Sequence, residues 1–247
     1  QARYNKDIKA LVLRVDSPGG SQLASELIRQ ELELFQLSGR PVVASFGSVA
    51  ASGGYWIAAT ANEIVSEATT ITGSIGIFSY LTTFEDTLKR YGVHSDGVGS
   101  TDNAVSIDLL VGVSDDMAQI LQSSVERGYE QFLQLVARGR AKTPEEIDYV
   151  AQGRIWSGTA ALDLDLVDSI GGLDQAITRA VEIAGLEDYQ TIRLRREIDP
   201  RQLFLAELMQ TFVPGFSADL VSWLVPQVWL DNPESIFGQA KRGLLQA

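Results

Sequence analysis

"GSVAASGGYWIAATAN", residues 47–62, sets one serine among alanines and glycines at the head of an apolar run. It follows "PVVASF" (41–46), whose β-branched and apolar residues read as a buried strand. Residues 52–61 read as a helix of small residues. The chain therefore turns from strand to helix at Ala-Ser-Gly-Gly, and so many small side chains imply a close approach by another part of the molecule. Ser52 stands at the first turn of that helix, where the helix dipole favours developing negative charge. It is the candidate nucleophile.

A second turn has the same design. "IKALVLRVD" (8–16) is a strand run, "DSPGG" (16–20) is a turn, and residues 21–38 carry Leu23, Leu27, Ile28, Glu31, Leu34 and Phe35 at helical spacing before Gly39. Two glycine-rich turns at strand ends can aim backbone N–H groups at one point, as an oxyanion hole requires. Either turn alone is better explained as a tight bend. A serine embedded in the second favours the catalytic explanation for the pair.

Further along, "EIVSE" and "SIGIFSYL" read as short strands on either side of a turn "ATTITG". Residues 82–91 read as a helix and 115–138 as a long one. Thr143-Pro144-Glu145-Glu146 is a capping box with proline at the first helical position, opening a helix to about residue 151. Ser157 caps a short helix, "LVDS" is a strand fragment, and residues 173–185 form a last helix. Alternating strands and helices predict an α/β fold with a largely parallel sheet. We divide the chain into residues 1–195 and a C-terminal extension, 196–247, where "RREIDPRQ" gives way to an apolar tract.

That tract, "FVPGFSADLVSWLVPQVWL" (212–230), is long enough to cross a bilayer, but Pro214, Asp219 and Pro226 interrupt it. Its first reading is a tail packed on protein. Its second is an apolar rim of Phe212, Phe216, Trp223 and Trp229 that meets a membrane or a greasy substrate. The net charge of −12 disfavours a nucleic-acid partner. With no cysteine, thiolate chemistry and Cys-based zinc sites are excluded. With one histidine, His94, a Ser-His-Asp triad within the chain could use no other. The context of His94, "RYGVHSDGVG", does not mark it as a base. Asp163, Asp165 and Asp168 alternate with leucines and are expected to face solvent. No cofactor is implied.

Three stretches together resemble signal peptide peptidase A, also called protease IV: "ALVLRVDSPGG", "GSVAASGGYWIAATANEIVSEATTITGSIGIF" and "QGRIWSGTAALDLDLVDSIGG". The match runs in order over roughly residues 8–185. It implies a serine peptidase on the Clp-protease/crotonase-like fold of repeated strand-strand-helix units, here with a C-terminal apolar extension. By position, Ser52 matches the nucleophile. Gly19, Gly20 and Gly53 match the oxyanion-hole region, and Ser74 in "TGSIG" matches the serine that orients a general-base lysine.

The base itself is missing. Where the family's short form and the N-terminal half of its long form resemble G-x-Y-K-x-A-V, this chain has "GSTDNAV" (99–105), with Asp102 in place of lysine. The lysines Lys6, Lys9, Lys89, Lys142 and Lys241 all lie elsewhere. This is the pattern of the C-terminal half of the long form, which takes its lysine from the other half. The resemblance therefore implies a partner, the N-terminal half of the same protein, and a homo-oligomeric ring. It also implies hydrophobic peptides, cleaved signal peptides among them, as substrates, and a location at the cell membrane with the catalytic part outside the cytoplasm. The membrane anchor is expected outside this chain, which is read as a fragment beginning near the end of the family's first helix. Two other readings compete: a crotonase-type enzyme of acyl-CoA thioesters, and a non-catalytic half that only shapes an oligomer.

Overall fold

The structure is a computed structural model that describes residues 2–95, 97, 99–100, 107–108, 110 and 112–194. The chain divides into two compact units, Gln1–Gln190 and Thr191–Ala247. The account that follows concerns the first. Asp102, Lys241 and the apolar tract lie outside the described residues.

Strand β2, Val42–Ala51, is the axis of the fold. Its run from Val42 to Phe46 is buried on both faces, which explains the absence of polar alternation in "PVVASF". Strand β1, Leu11–Ser17, lies parallel to it on one side, with Leu11 opposite Val42 and Val15 opposite Phe46. On the other side two short parallel strands follow one another along β2. They are β3, Glu63–Ser66, beside residues 43–46, and β4, Ile71–Gly73, beside residues 49–51. Helix α1, Gln22–Gln36, joins β1 to β2, and α2, Gly53–Ala58, joins β2 to β3. The α/β class and the mainly parallel sheet are as expected.

Several boundaries differ from the sequence reading. Strand β2 runs five residues past Phe46, so Ser52 lies directly at its end and α2 is shorter than residues 52–61. The stretch "ATTITG", expected as a turn, contains β4, while "SIGIFSYL" forms no strand. Alternating apolar residues need a partner strand to become a strand, and here Phe78 and Tyr80 are exposed instead. A strand the sequence did not announce, β7, Ile155–Ser157, pairs antiparallel with β4. It follows the small hairpin of β5, Ile107–Asp108, with β6, Gly112–Val113. Strand β8, Ser169–Ile170, completes the sheet beside β3.

The remaining helices are α3, Glu85–Arg90; α4, Asp115–Arg140; α5, Pro144–Val150; α6, Gly158–Asp163; and α7, Leu173–Ala184. The capping box is present at Thr143 and Glu146, and Ser157 caps α6 through its hydroxyl. The main core joins Phe46, Tyr55, Trp56, Ile64, Phe132, Val136, Ile147 and Leu166. Trp56 and Phe132 pack as tilted rings with centroids 4.6 Å apart, and the buried Tyr55 hydroxyl donates to the Leu166 carbonyl at 2.6 Å. A smaller cluster of Val43, Val65, Ala176 and Ala180 lies under α7. Asp165 and Asp168 are exposed but paired: Lys142 holds Asp165, and Arg140 forks onto Asp168, which also accepts from the Ile64 N–H.

Candidate active site

Strands β2 and β4 end in register, Ala51 opposite Gly73, and a serine follows each. Both serines have positive φ, 51° at Ser52 and 49° at Ser74, a region that residues with a Cβ seldom enter. Ser52 combines this with ψ −120°. Neighbouring backbone holds the pair. The Ser52 N–H donates to the Gly73 carbonyl at 3.0 Å, and the Ser74 N–H donates to the Arg154 carbonyl at 2.7 Å. Such strain persists only where surrounding structure over-determines it, and it is concentrated at functional sites. The Ser52 side chain makes no capping bond to α2, so its hydroxyl is not engaged there.

The two glycine-rich turns meet at Ser52. A methyl group added at Gly19 would lie 2.8 Å from Ser52 Cβ and 2.9 Å from Gly53 N. One added at Gly53 would lie 2.6 Å from Ser25 Oγ and 3.1 Å from Gly20 N. Glycine is required at Gly19 and Gly53 by close packing, and at Gly19 and Gly20 by φ of 117° and 152°. The Gly19 N–H already donates to Ser17 Oγ at 3.2 Å, whereas the Gly20 N–H has no acceptor among the described residues. Gly53 is the first residue of α2, so its N–H is one of those a helix leaves unpaired.

A cleft of about 880 Å³ opens over this junction. Pro18, Gly19, Gly20, Ser52, Ser74 and Gly76 line one part of it. Ile77, Phe78, Tyr129, Gln152 and Gly153 line the rest. The last three were not anticipated from the sequence. The Tyr129 hydroxyl donates to Asp148 at 2.5 Å and accepts from the Gln152 N–H at 3.1 Å, while the Gly153 N–H donates to the Ile75 carbonyl. Burial, followed by the bond to Asp148, pushes the Tyr129 phenol up to about 12, so it stays protonated. The only sequence signal for this rim was "QGR", where Gln152 and Gly153 both adopt positive φ.

All five residues predicted for the site thus fall in or against one cleft. Among the described residues no lysine and no histidine lines it. Lys9 donates to the Lys6 carbonyl, Lys89 lies near Asp86, and Lys142 is paired with Asp165. His94 is exposed and outside the lining. Among the described residues no cluster of His, Asp or Glu is arranged to hold a metal ion, and no helix is long and apolar enough to cross a membrane.

The model of peptidase family S49 matches residues 35–187. The chain belongs to peptidase family S49. The S49 match takes in Ser52, Ser74, Tyr129 and the Gln152–Gly153 rim. Protease 4 of Salmonella typhi is 50% identical over 188 residues, covering 76% of this chain and 30% of that protein. Protease 4 of Haemophilus influenzae is 39% identical over 227 residues, 91% of this chain and 37% of that one. The chloroplastic serine protease SPPA of Arabidopsis thaliana is 35% identical over 189 residues, 74% of this chain and 27% of that one. The chain thus spans about a third of the length of these curated relatives. Among solved structures, a ClpP1 mutant from Listeria monocytogenes aligns with a TM-score of 0.45 at 15% identity, over 68% of this chain and 78% of that one.

Proposed function

We propose that this S49 chain supplies the nucleophile and oxyanion hole of a serine peptidase whose general base, a lysine, comes from a second half of the protein. The observation that carries the reading is a cleft with two aligned serines and two converging glycine turns, and no base among its described lining residues. A serine hydroxyl is a weak nucleophile at neutral pH and needs a neighbouring base.

In this mechanism Ser52 Oγ attacks the carbonyl carbon of a peptide bond and its proton passes to the neutral lysine amine. The Gly53 and Gly20 N–H groups receive the oxyanion. The lysinium then protonates the leaving amine, and water repeats the sequence on the acyl-enzyme. Ser74 holds the lysine amine in line. The lysine has to work well below its ordinary pKa of ~10.4, and burial between two protein halves lowers it in that direction. Ile77, Phe78 and Pro18 give the cleft an apolar wall suited to hydrophobic, extended peptides. Assembly into a ring, and a location at the membrane outside the cytoplasm, belong to the same reading.

The test is to assay this chain alone and together with the lysine-bearing half, using a hydrophobic peptide ester and a serine-directed phosphonate. General-base help is typically worth ~10²–10⁴ in rate, so the chain alone should turn over at least about a hundredfold more slowly than the assembly. Full activity from the chain alone, lost in Ser52→Ala, would overturn the divided dyad. An assembled protein with Ser52 unlabelled would overturn the peptidase reading.

A further inference from the structure

The two turns that form the oxyanion hole are each rigidly attached to a helix. Gly19 and Gly20 lead through Ser21, the N-cap, into α1, and Ser52 leads directly into α2. The distance between the Gly20 and Gly53 N–H groups is therefore fixed by how α1 sits on α2. The helices touch at Ser25, which is buried and faces Gly53, and one turn further on they are tied by a bond. The indole Nε1–H of Trp56 donates to Glu26 Oε2 at 2.8 Å.

That acceptor is itself held in place. Arg29, 4% exposed, grips Glu26 with Nε and Nη2, both at 2.8 Å, and reaches Glu33 with Nη1 at 2.7 Å. Glu33 in turn meets Arg138 of α4 at 3.1 Å. Glu26, Arg29 and Glu33 all belong to α1, so the pairing fixes the Glu26 carboxylate on its own helix, and the bond to Trp56 carries that order to α2. On the other side of Trp56 the ring of Phe132 closes the slot. The Trp56 ring thus has its position set by Phe132 and its orientation by Glu26.

We propose that Glu26 and Trp56 are positioning residues for the oxyanion hole: their bond sets the pitch of α2 against α1, so that the Gly53 and Gly20 N–H groups face the same oxygen. This rests on the reading of Ser52 as the nucleophile. Neither residue touches the substrate. Because a displacement of about 1 Å at a reacting centre can cost ~10² in rate, loosening this tie is expected to slow acylation and leave substrate binding nearly unchanged.

The experiment uses the chain assembled with its lysine-bearing half. Trp56→Phe keeps a ring against Phe132 and removes the donor together with part of the indole's bulk. Glu26→Gln keeps an acceptor oxygen for the indole but turns its amide NH2 toward Arg29 Nη2 and Gln30 Nε2, so it weakens the grip on this side chain without removing the Trp56 bond. Expected for Trp56→Phe is a kcat about tenfold lower on a peptide ester, KM within about twofold, and phosphonate labelling of Ser52 slowed by the same factor. Glu26→Gln should stay within about threefold of wild type, and adding it to Trp56→Phe should cost nothing more, since both act through one bond. Hydrogen exchange over residues 52–57, which needs no activity, should quicken more in Trp56→Phe than in Glu26→Gln. A folded Trp56→Phe with wild-type kcat, a change confined to KM, or unchanged exchange over 52–57 would overturn the proposal. Should Trp56→Phe not fold, Glu26→Met combined with Arg29→Met removes the same bond from its other side without leaving a buried guanidinium unpaired, with the same expected and overturning results. Wild-type turnover that survives Ser52→Ala would sink the underlying reading. Turnover abolished by Ser52→Ala but untouched by Trp56→Phe would sink the brace alone.

Discussion

Gly53→Ala separates the stability of the junction from its catalytic geometry. The new methyl group would lie 2.6 Å from Ser25 Oγ and 3.1 Å from Gly20 N. The first contact is impossible without movement, and the second asks backbone to yield by a few tenths of an ångström. Overpacking of this kind typically costs ~1–3 kcal/mol. Alanine in place of glycine within a helix returns up to ~1 kcal/mol. The expected net loss is therefore about 0–3 kcal/mol, a fall in Tm of up to about 10 °C for a body of this size.

The effect on rate should be far larger. On the proposed mechanism, moving α2 away from the Gly19–Gly20 turn would withdraw one oxyanion donor, and the loss of one such donor costs ~10²–10³ in kcat. The double variant Gly53→Ala with Ser25→Ala removes the 2.6 Å contact and leaves the one to Gly20 N. It should regain most of the lost Tm and little of the lost rate. The assays are thermal unfolding and the rate of Ser52 phosphonylation in the assembled protein. Wild-type phosphonylation by folded Gly53→Ala would refute the assignment of Gly53 to the oxyanion hole. Parallel recovery of rate and Tm in the double variant would show that the slowing came from general loosening.

Two further outcomes are expected. Ser52→Gly should raise stability by about 1 kcal/mol, because relief of φ 51° gains ~1–3 kcal/mol and the freer unfolded chain takes back ~0.4–1; Ser52→Ala, which keeps a Cβ, should show no gain, and urea unfolding of the three proteins decides it. Glu26, held by Arg29 and then by Trp56 and Gln30, has its pKa lowered from the usual 4.5 to about 2, against the opposing effect of burial. Its charge therefore contributes stability in full above about pH 4.5, and that contribution is lost as pH falls toward 2. The gap in urea midpoint between wild type and Glu26→Gln should be constant above about pH 5 and close between pH 4.5 and 2; a gap that widens on acidification would contradict the assignment.

The parts of the site that were legible in the sequence are those whose chemistry is local. "DSPGG" and "AASGG" announce their turns because only glycine tolerates φ of 117° at residue 19 and the contacts around residue 53. What is non-local stayed hidden. Strands β4 and β7 have three residues each and exist only because they pair with one another and with the end of β2. Helix α1 is the clearest case. Its apolar spacing points to a leucine face, yet Leu23 and Leu27 are 70% and 56% exposed while Ser25, Arg29 and Phe35 are buried. The helix turns a small residue inward at Ser25 because Gly53 lies there, and a charged one at Arg29 because Glu26 has been committed to Trp56. Neither fact is visible in the residues 21–38 alone. Tyr129 and Gln152 reach the cleft from α4 and from the turn before β7, and no spacing rule connects them to Ser52.

The paired strain at Ser52 and Ser74 explains how a site can be built to await one group. Each positive φ costs ~1–3 kcal/mol, a sizeable share of the 5–15 kcal/mol by which a domain is stable. Had the two residues kept extended backbone, each strand would simply have run on. Instead both turn at equivalent places, one step beyond Ala51 and Gly73, and both contribute to the wall of one cleft. The bonds that hold them, to the Gly73 and Arg154 carbonyls, belong to the sheet and form with it. On the reading proposed above, the ordering of nucleophile, second serine and oxyanion donors would be met by folding, before any base arrives. A lysine entering between the two hydroxyls would meet fixed partners, so its binding would carry little reorganisation and its effect would fall on proton transfer. On the proposed division of the dyad between two halves, turnover would be conditional on assembly, with this chain bringing its share of the geometry already formed.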